Sequence, residues 1–456
     1  MVNCTMLQYV FINISVLILL SHNVVLFVNA SRNHRDPNPF PSFEQLEDQA
    51  TTDIAAIDVA LDEIIGTNVD GIIIDRYSPS KFWLWRQWSS TVFRSSLLNV
   101  RRSVISTFIV CCLLRKLIFG DWNVWKHPNN NIISSHQETK ICIIQSLNCL
   151  NKVWKNLLPL TTVVLTLFVA QAYNYWIGVY QLCRNIQHRM NDIEMLLSTH
   201  VCRKNNNQFG RRRSTLYTTS GEEFLRDINH NLRAFHVLFW ASQTRRFRIL
   251  ITDRGLSRLV AKDVLTQQEK EELDSHISIS RTQKHWIVLD WVIFKCKEAQ
   301  CSNNDSRGLK KRRNNKECIL EGGYGLEQVL LDRICSLRTC CSQIKNKVAG
   351  RMVFAYAHYV SILVDAFLFM ASIVQYNELG IWSVVSTGIL TLFYSGLRNL
   401  SFDLLDPMLN DRESNGNGDG SCDGDDTSVY LDISVLIRES TSTAQRWVKA
   451  GSKFKW

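Results

Sequence analysis

Apolar and polar residues in this chain fall into long blocks. The first block, 7–28, is apolar apart from Ser21-His22-Asn23 and ends Val28-Asn29-Ala30. Small residues at that end predict a signal-like segment over 1–30, cleaved after Ala30; a basic n-region is missing. An uncleaved membrane helix and the first part of a bipartite presequence are the alternatives. Residues 31–80 form a polar, acidic N-terminal segment. Its Asp36-Pro37-Asn38-Pro39-Phe40-Pro41 run cannot be helical, because proline removes donors and fixes φ. From Phe43 to Ile65 apolar residues recur at helical spacing.

Four later blocks are about one bilayer long, since ~20 residues at 1.5 Å each cover the hydrocarbon core. They run 103–119, 157–177, 353–374 and 381–397. Arg101 and Arg102 mark one end of the first. The segment 120–155 reads as a polar loop whose Trp122, Trp125 and Trp154 suit a membrane interface. The second crossing is read as opening at Pro159, where a first-turn proline costs no hydrogen bond, and as ending in an aromatic belt, Tyr173, Tyr175 and Trp176. The insert 184–350 is amphipathic, basic and helix-like, with Arg211-Arg212-Arg213 and Lys310-Lys311-Arg312-Arg313 reading as loops. After Ser401 the chain is acidic and Gly-rich up to Asp426, then helix-like from Val429 to Trp447. The expected fold is all-α: an integral membrane protein with four transmembrane helices and a large helical cytosolic region. The divisions are 1–30, 31–80, a channel domain over 81–400, and 401–456.

Charge supports this. About thirty Lys and Arg against fewer than twenty acids lie between Arg184 and Arg351, and the net charge is +10. Flanked by apolar spans, that excess marks a cytoplasm-facing segment more naturally than a nucleic-acid surface, so no nucleic-acid partner is expected. Four crossings place both ends on the insert's side, whereas a cleaved signal segment places Ser31 across the membrane from it. A plastid or other organelle membrane reached by the secretory route reconciles the two; the plasma membrane is the alternative. The 14 cysteines include no CxxC pair, and Cys142 with Cys149 is the one pairing expected if their loop meets an oxidising lumen. No GxGxxG, P-loop, GxSxG or HExxH occurs, so no enzyme is expected. His236 and His358 lie on apolar helices and read as packed.

Several segments resemble, in order, the bestrophin family of pentameric anion channels, in its broad form with bacterial and plastid members. These are Pro159 with Leu165-Thr166-Leu167-Phe168-Val169-Ala170-Gln171 to Tyr175-Trp176; Gly255-Leu256 through Asp263-Val264-Leu265-Thr266-Gln267-Gln268-Glu269; His285-Trp286-Ile287-Val288-Leu289-Asp290-Trp291; Met352-Val353-Phe354-Ala355-Tyr356; and Leu405-Asp406-Pro407, then Leu431-Asp432. The family's arginines on the second crossing are absent, and its proline before Phe354 is lost.

The resemblance implies a homopentamer conducting chloride or bicarbonate, with a neck on the second crossing. Two registers fit: Leu160, Val164 and Phe168, a dry constriction gating by dewetting, or Leu158, Thr162 and Thr166, a wetter one. It implies that Met352 forms a cytosolic aperture. Helix starts at Pro159 and Gly350 would offer N–H donors to an anion, and Arg351 would steer it. In some members calcium sits in an acidic clasp; here Asp403, Asp406, Asn410 and Asp411 occupy that neighbourhood. Directly after them Asn415, Asn417, Asp419, Gly420, Asp423 and Asp426 match positions 1, 3, 5, 6, 9 and 12 of an EF-hand-type loop. Calcium is the one cofactor expected. A non-conducting scaffold of the same fold is the alternative function. A coupled transporter is a third, for which Asp365 is the one charge inside the third crossing.

Overall fold

The computed structural model describes residues 42–52, 54–65, 73, 92–119, 137–205, 213–276, 278–300, 319–408 and 429–453. Segment 1–30, Arg211, Arg212, the Lys310–Arg313 run and residues 409–428 lie outside them. The regular structure of the described residues is helical apart from two isolated bridges at Leu320 and one small antiparallel pair, β1 (Arg203–Asn205) with β2 (Arg213–Tyr217), an element the all-α expectation did not include.

The helices are α1 (Phe43–Thr52), α2 (Ile54–Ile65), α3 (Val92–Phe119) and α4 (Gln137–His200), then α5 (Thr219–Gln243), α6 (Asp253–Ala261), α7 (Gln267–Ser275) and α8 (His285–Ala299). There follow α9 (Gly323–Ala349), α10 (Phe354–Leu379), α11 (Ser383–Leu405) and α12 (Ile433–Lys453). Three stretches are long and apolar enough to cross a membrane: Ser96–Lys116, Ile144–His200 and Phe354–Leu405. The third is α10 and α11 folded on each other at Gly380, whose φ of 58° lies in the left-handed region that glycine adopts without strain. The four apolar blocks of the sequence thus become four helices in three stretches.

The helices run well past those blocks. Helix α4 has 64 residues, so at 1.5 Å per residue it is ~96 Å long, about three hydrocarbon thicknesses. It begins inside the segment read as a loop and continues into the insert without a break at Arg184. Three expectations fall with this. Pro159 lies inside α4 and marks no helix start; it withdraws one donor there and opens no anion-binding N-terminus. Trp154 is buried and stacks on Phe367 at 5.4 Å, so its ring packs inside the protein and does not stand on an exposed loop. Cys149 is a free thiol; Cys142, on the same helix, is seven residues away, roughly 10 Å along the axis, beyond disulfide reach.

One large core joins parts that the sequence separates. It includes Ala50, Ile57, Leu61 and Ile64 from the N-terminal segment, and Val179, Ile186, Met190, Ile193 and Leu197 from α4. It also takes in most of α5, and Ile433, Leu436 and Ile437 near the C-terminus. Helices α1 and α2 lie on the insert through acid–base pairs as well: Glu47 with Arg281, Glu63 with Arg246, Asp58 with Arg258 at 3.7 Å and Asp62 with Lys262 at 3.0 Å. Residues 43–65, the insert and α12 thus form one packed unit.

Local sequence explains local structure in the insert. Thr266 and Glu269 form a reciprocal capping box that starts α7, so the Leu-Thr-x-x-Glu segment is a helix start. Gly255 sits where a Cβ would meet the Ile249 carbonyl oxygen at 2.4 Å, so the backbones touch only because it is glycine. His236 is buried and accepts a hydrogen bond from Trp240 Nε1 at 2.8 Å. His358, read as packed, is exposed and stacks on Phe354 at 5.6 Å.

Candidate functional site

Helix α4 repeats its buried positions at steps of seven, four, three and four residues: Trp154, Thr161, Leu165, Phe168 and Ala172. These face α10 and α11, where Phe168 meets Tyr356 and Phe402 edge-on at 5.8 and 5.7 Å. Phe168 is 0% exposed inside its own chain, so it does not line an open face. The row Leu160, Val164, Phe168 runs obliquely from an exposed position, through a half-buried one, into the core. Within its own chain the first neck register therefore mixes exposed and buried positions. Its i, i+4 steps advance 400° against a 360° turn, so three such positions drift ~80° around the helix.

The second register ends on the open face. Leu158 is half-buried, and Thr162 and Thr166 are exposed. Both hydroxyls donate back to the helix, Thr162 to the Leu158 carbonyl and Thr166 to the Thr162 carbonyl, each at 2.8 Å. Thr162 Oγ1 also lies 2.7 Å from Tyr394 Oη of α11. Pro159, Val163, Leu167 and Ala170 complete this bare face. Farther along, Tyr173, Trp176 and Tyr180 stack in sequence at 6.2 and 6.0 Å. Arg184 lies over Tyr180 and pairs with Glu439 of α12 at 3.0 Å.

Met352 is half-buried beside the Phe168 cluster, two residues before α10. Gly350 caps the C-terminus of α9, donating to the Asn346 carbonyl at 2.8 Å, so it offers no helix start; the start lies at Phe354. Arg351 Nη2 donates to Asp406 Oδ1 at 3.3 Å, so its charge is compensated locally.

That contact bears on the calcium clasp. Asp403 and Asp406 are half-buried. Asn410 and Asp411, and the loop residues Asn415, Asn417, Asp419, Asp423 and Asp426, lie outside the described residues. Calcium takes six to eight oxygens, and among the described residues no three His, Cys, Asp or Glu side chains assemble to hold a metal. The Arg351 guanidinium beside Asp406 offsets part of the negative charge that a cation would meet there.

Two features were missed in the sequence. Arg398 Nη1 donates to Asp365 Oδ1 at 2.5 Å, bridging α10 and α11. Asp365 stands 15 residues before Gly380 and Arg398 stands 18 after it; that near-equal spacing across a helical hairpin is the signal that would have paired them. The second feature is a polar seam between α3 and α11. Ser103 lies 2.8 Å from Thr391, Asn99 donates to Ser395 at 3.1 Å and Cys111 lies 3.2 Å from Ser383. Such small side chains let helices approach closely where lipid gives no hydrophobic drive. Their spacing in α3, four and then eight residues, is visible in the sequence.

No family model matches the chain, and no curated protein matches it. Among solved structures, it is similar to a bacterial bestrophin homologue from Klebsiella pneumoniae, with 11% identity and a TM-score of 0.48 over 77% of this chain and 98% of that one. A point variant of that homologue gives 10% identity and a TM-score of 0.49 over 77% and 99%. A protein described only as a membrane protein, also a point variant, gives 9% and 0.49 over 77% and 98%.

Proposed function

We propose that this chain is one subunit of a pentameric, bestrophin-type anion channel passing chloride or bicarbonate, with its neck on the bare face of α4. One observation carries the reading. From Asn156 to Cys183 the chain holds no charged residue, and the face of that segment which its own chain leaves uncovered bears Thr162 and Thr166. Five such faces around an axis make a path with methyl and hydroxyl groups and no carboxylate to repel an anion. The same helix then enters the basic insert, whose excess charge raises the local anion concentration.

The test is ion flux from liposomes carrying the purified protein, with the reversal potential measured in asymmetric potassium chloride. A potential that follows chloride supports the reading, and one that follows potassium overturns it. Calcium binding belongs to this proposal too: millimolar calcium is expected to raise the current, and Asp419→Ala with Asp423→Ala to abolish that effect if the 415–426 loop is the site. If Asp406→Ala abolishes it instead, the clasp is the site. The scaffold reading is favoured by the pairing of Arg351 with Asp406 and of insert cations with α1 and α2 acids, which lowers the charge available to attract anions. Absence of flux from correctly assembled protein would select it.

A further inference from the structure

A cavity of about 410 Å³ lies between α5 and α12, with α4 beneath it. Its floor includes Glu194, which is 4% exposed and whose Oε2 is buried without a hydrogen-bond partner. A carboxyl in that position is costly unless something donates to it. Along one face of α5 the wall carries Glu222, Arg226 and Arg233. Glu222 and Arg226 pair with each other at 3.3 Å on the exposed rim. Arg233 is half-buried, and its counter-charge is Asp263, which acts on it without forming an ion pair.

The cavity therefore presents one unsatisfied acceptor and one guanidinium fork. A guanidinium matches a carboxylate with two parallel hydrogen bonds. Glu194 is the one acid of the lining that is not paired with a cation, and a single carboxyl supplies too few oxygens for a hard cation but enough for an ammonium. We propose that this cavity binds a small zwitterion of amino-acid type, its ammonium on Glu194 and its carboxylate on Arg233, and so fastens the C-terminal helix α12 to α5. This site lies outside the proposed conduction path and does not depend on conduction.

The test uses the full-length chain in detergent, its melting followed with the common L-amino acids singly at millimolar concentration. Butylamine and butanoate serve as half-ligands. At least one amino acid is expected to raise Tm by about 2 °C or more, with neither half-ligand doing so. Glu194→Gln and Arg233→Gln are each expected to raise its Kd about tenfold. Gln445→Trp, from an exposed wall position, fills the space without touching the core and is expected to abolish the shift. It keeps the test decisive if Glu194→Gln fails to fold. No shift with any amino acid overturns the proposal, as does a shift that survives Gln445→Trp or an equal shift with butylamine alone.

Discussion

The Phe168 ring is enclosed by Tyr356 and Phe402, so its size is a packing requirement. Between apolar helices in lipid, burial brings little transfer energy, because the lipid is as apolar as the core. What Phe168→Ala loses is contact with the ring's neighbours. At ~24 cal/mol per Å³, a void of roughly 100 Å³ costs about 2 kcal/mol. The expected result is a lower melting temperature with the conduction path unchanged. Thr166→Ala, on the bare face, should leave melting nearly unchanged and alter the current. Measuring both quantities on both variants separates the roles, and raised current from Phe168→Ala in a fully stable protein would return that residue to the pore.

Between elements, the apolar helices are held by a few polar contacts at fixed heights. Asp365 and Arg398 tie α10 to α11 partway along the two helices, 15 and 18 residues from the turn at Gly380. Neutralising one partner leaves the other charge uncompensated in a medium that solvates it poorly. Asp365→Asn and Arg398→Gln are each expected to lower the melting temperature by several degrees. The double variant should lose less than the sum of the two, because it leaves no orphan charge. Strict additivity in this double-mutant cycle would mean that the pair is not coupled. At the opposite end from the insert, Lys155 and Asn151 of α4 both hold Glu378 at the end of α10, at 2.7 and 2.6 Å. The hairpin is thus fixed at its turn as well as within.

Across the whole molecule, stability depends on pH through the insert. Burial holds the imidazole of His236 down at about 3, and burial together with Lys345 does the same for His285. Both are neutral in the folded protein but take up protons near pH 6.5 when unfolded. Folded stability therefore falls as pH drops from about 6.5 towards 3. Glu269 acts in the same direction lower down. Burial pushes its carboxyl up, yet the hydrogen bonds from His230 and from the Thr266 backbone outweigh this and bring it to about 2. Its contribution is present above its unfolded value of about 4.5 and is lost as pH falls through 2. The expected melting curve declines below pH 6.5 and steepens below pH 4.5. His236→Gln, which can still accept from Trp240, should flatten the upper part of that decline. An unchanged profile in His236→Gln would place the acid sensitivity elsewhere.

The amino-acid sequence determined what depends on neighbours along the chain. Block hydropathy identified the apolar segments, because desolvating a helix requires ~20 apolar residues in a row whatever surrounds them. Helical spacing identified α1 and α2 over Phe43–Ile65, and Thr266 with Glu269 carries its own helix-start chemistry. Tertiary structure decided what depends on rotation and on distant partners. A periodicity of four in α4 fits two registers equally well; only the packing of α10 and α11 against one side buries Phe168 and leaves Thr162 and Thr166 bare. Pro159 reads as a helix start because proline favours the first turn, yet preceding and following turns packed on α10 hold one continuous helix through it. Arg351 and Asp406, Asp365 and Arg398, and the acids of α2 with the cations of the insert lie 33 to 200 residues apart. Whether a charge is free to meet an anion or is already neutralised is therefore set by the fold, because a Coulomb interaction depends on distance in space and not on separation in sequence.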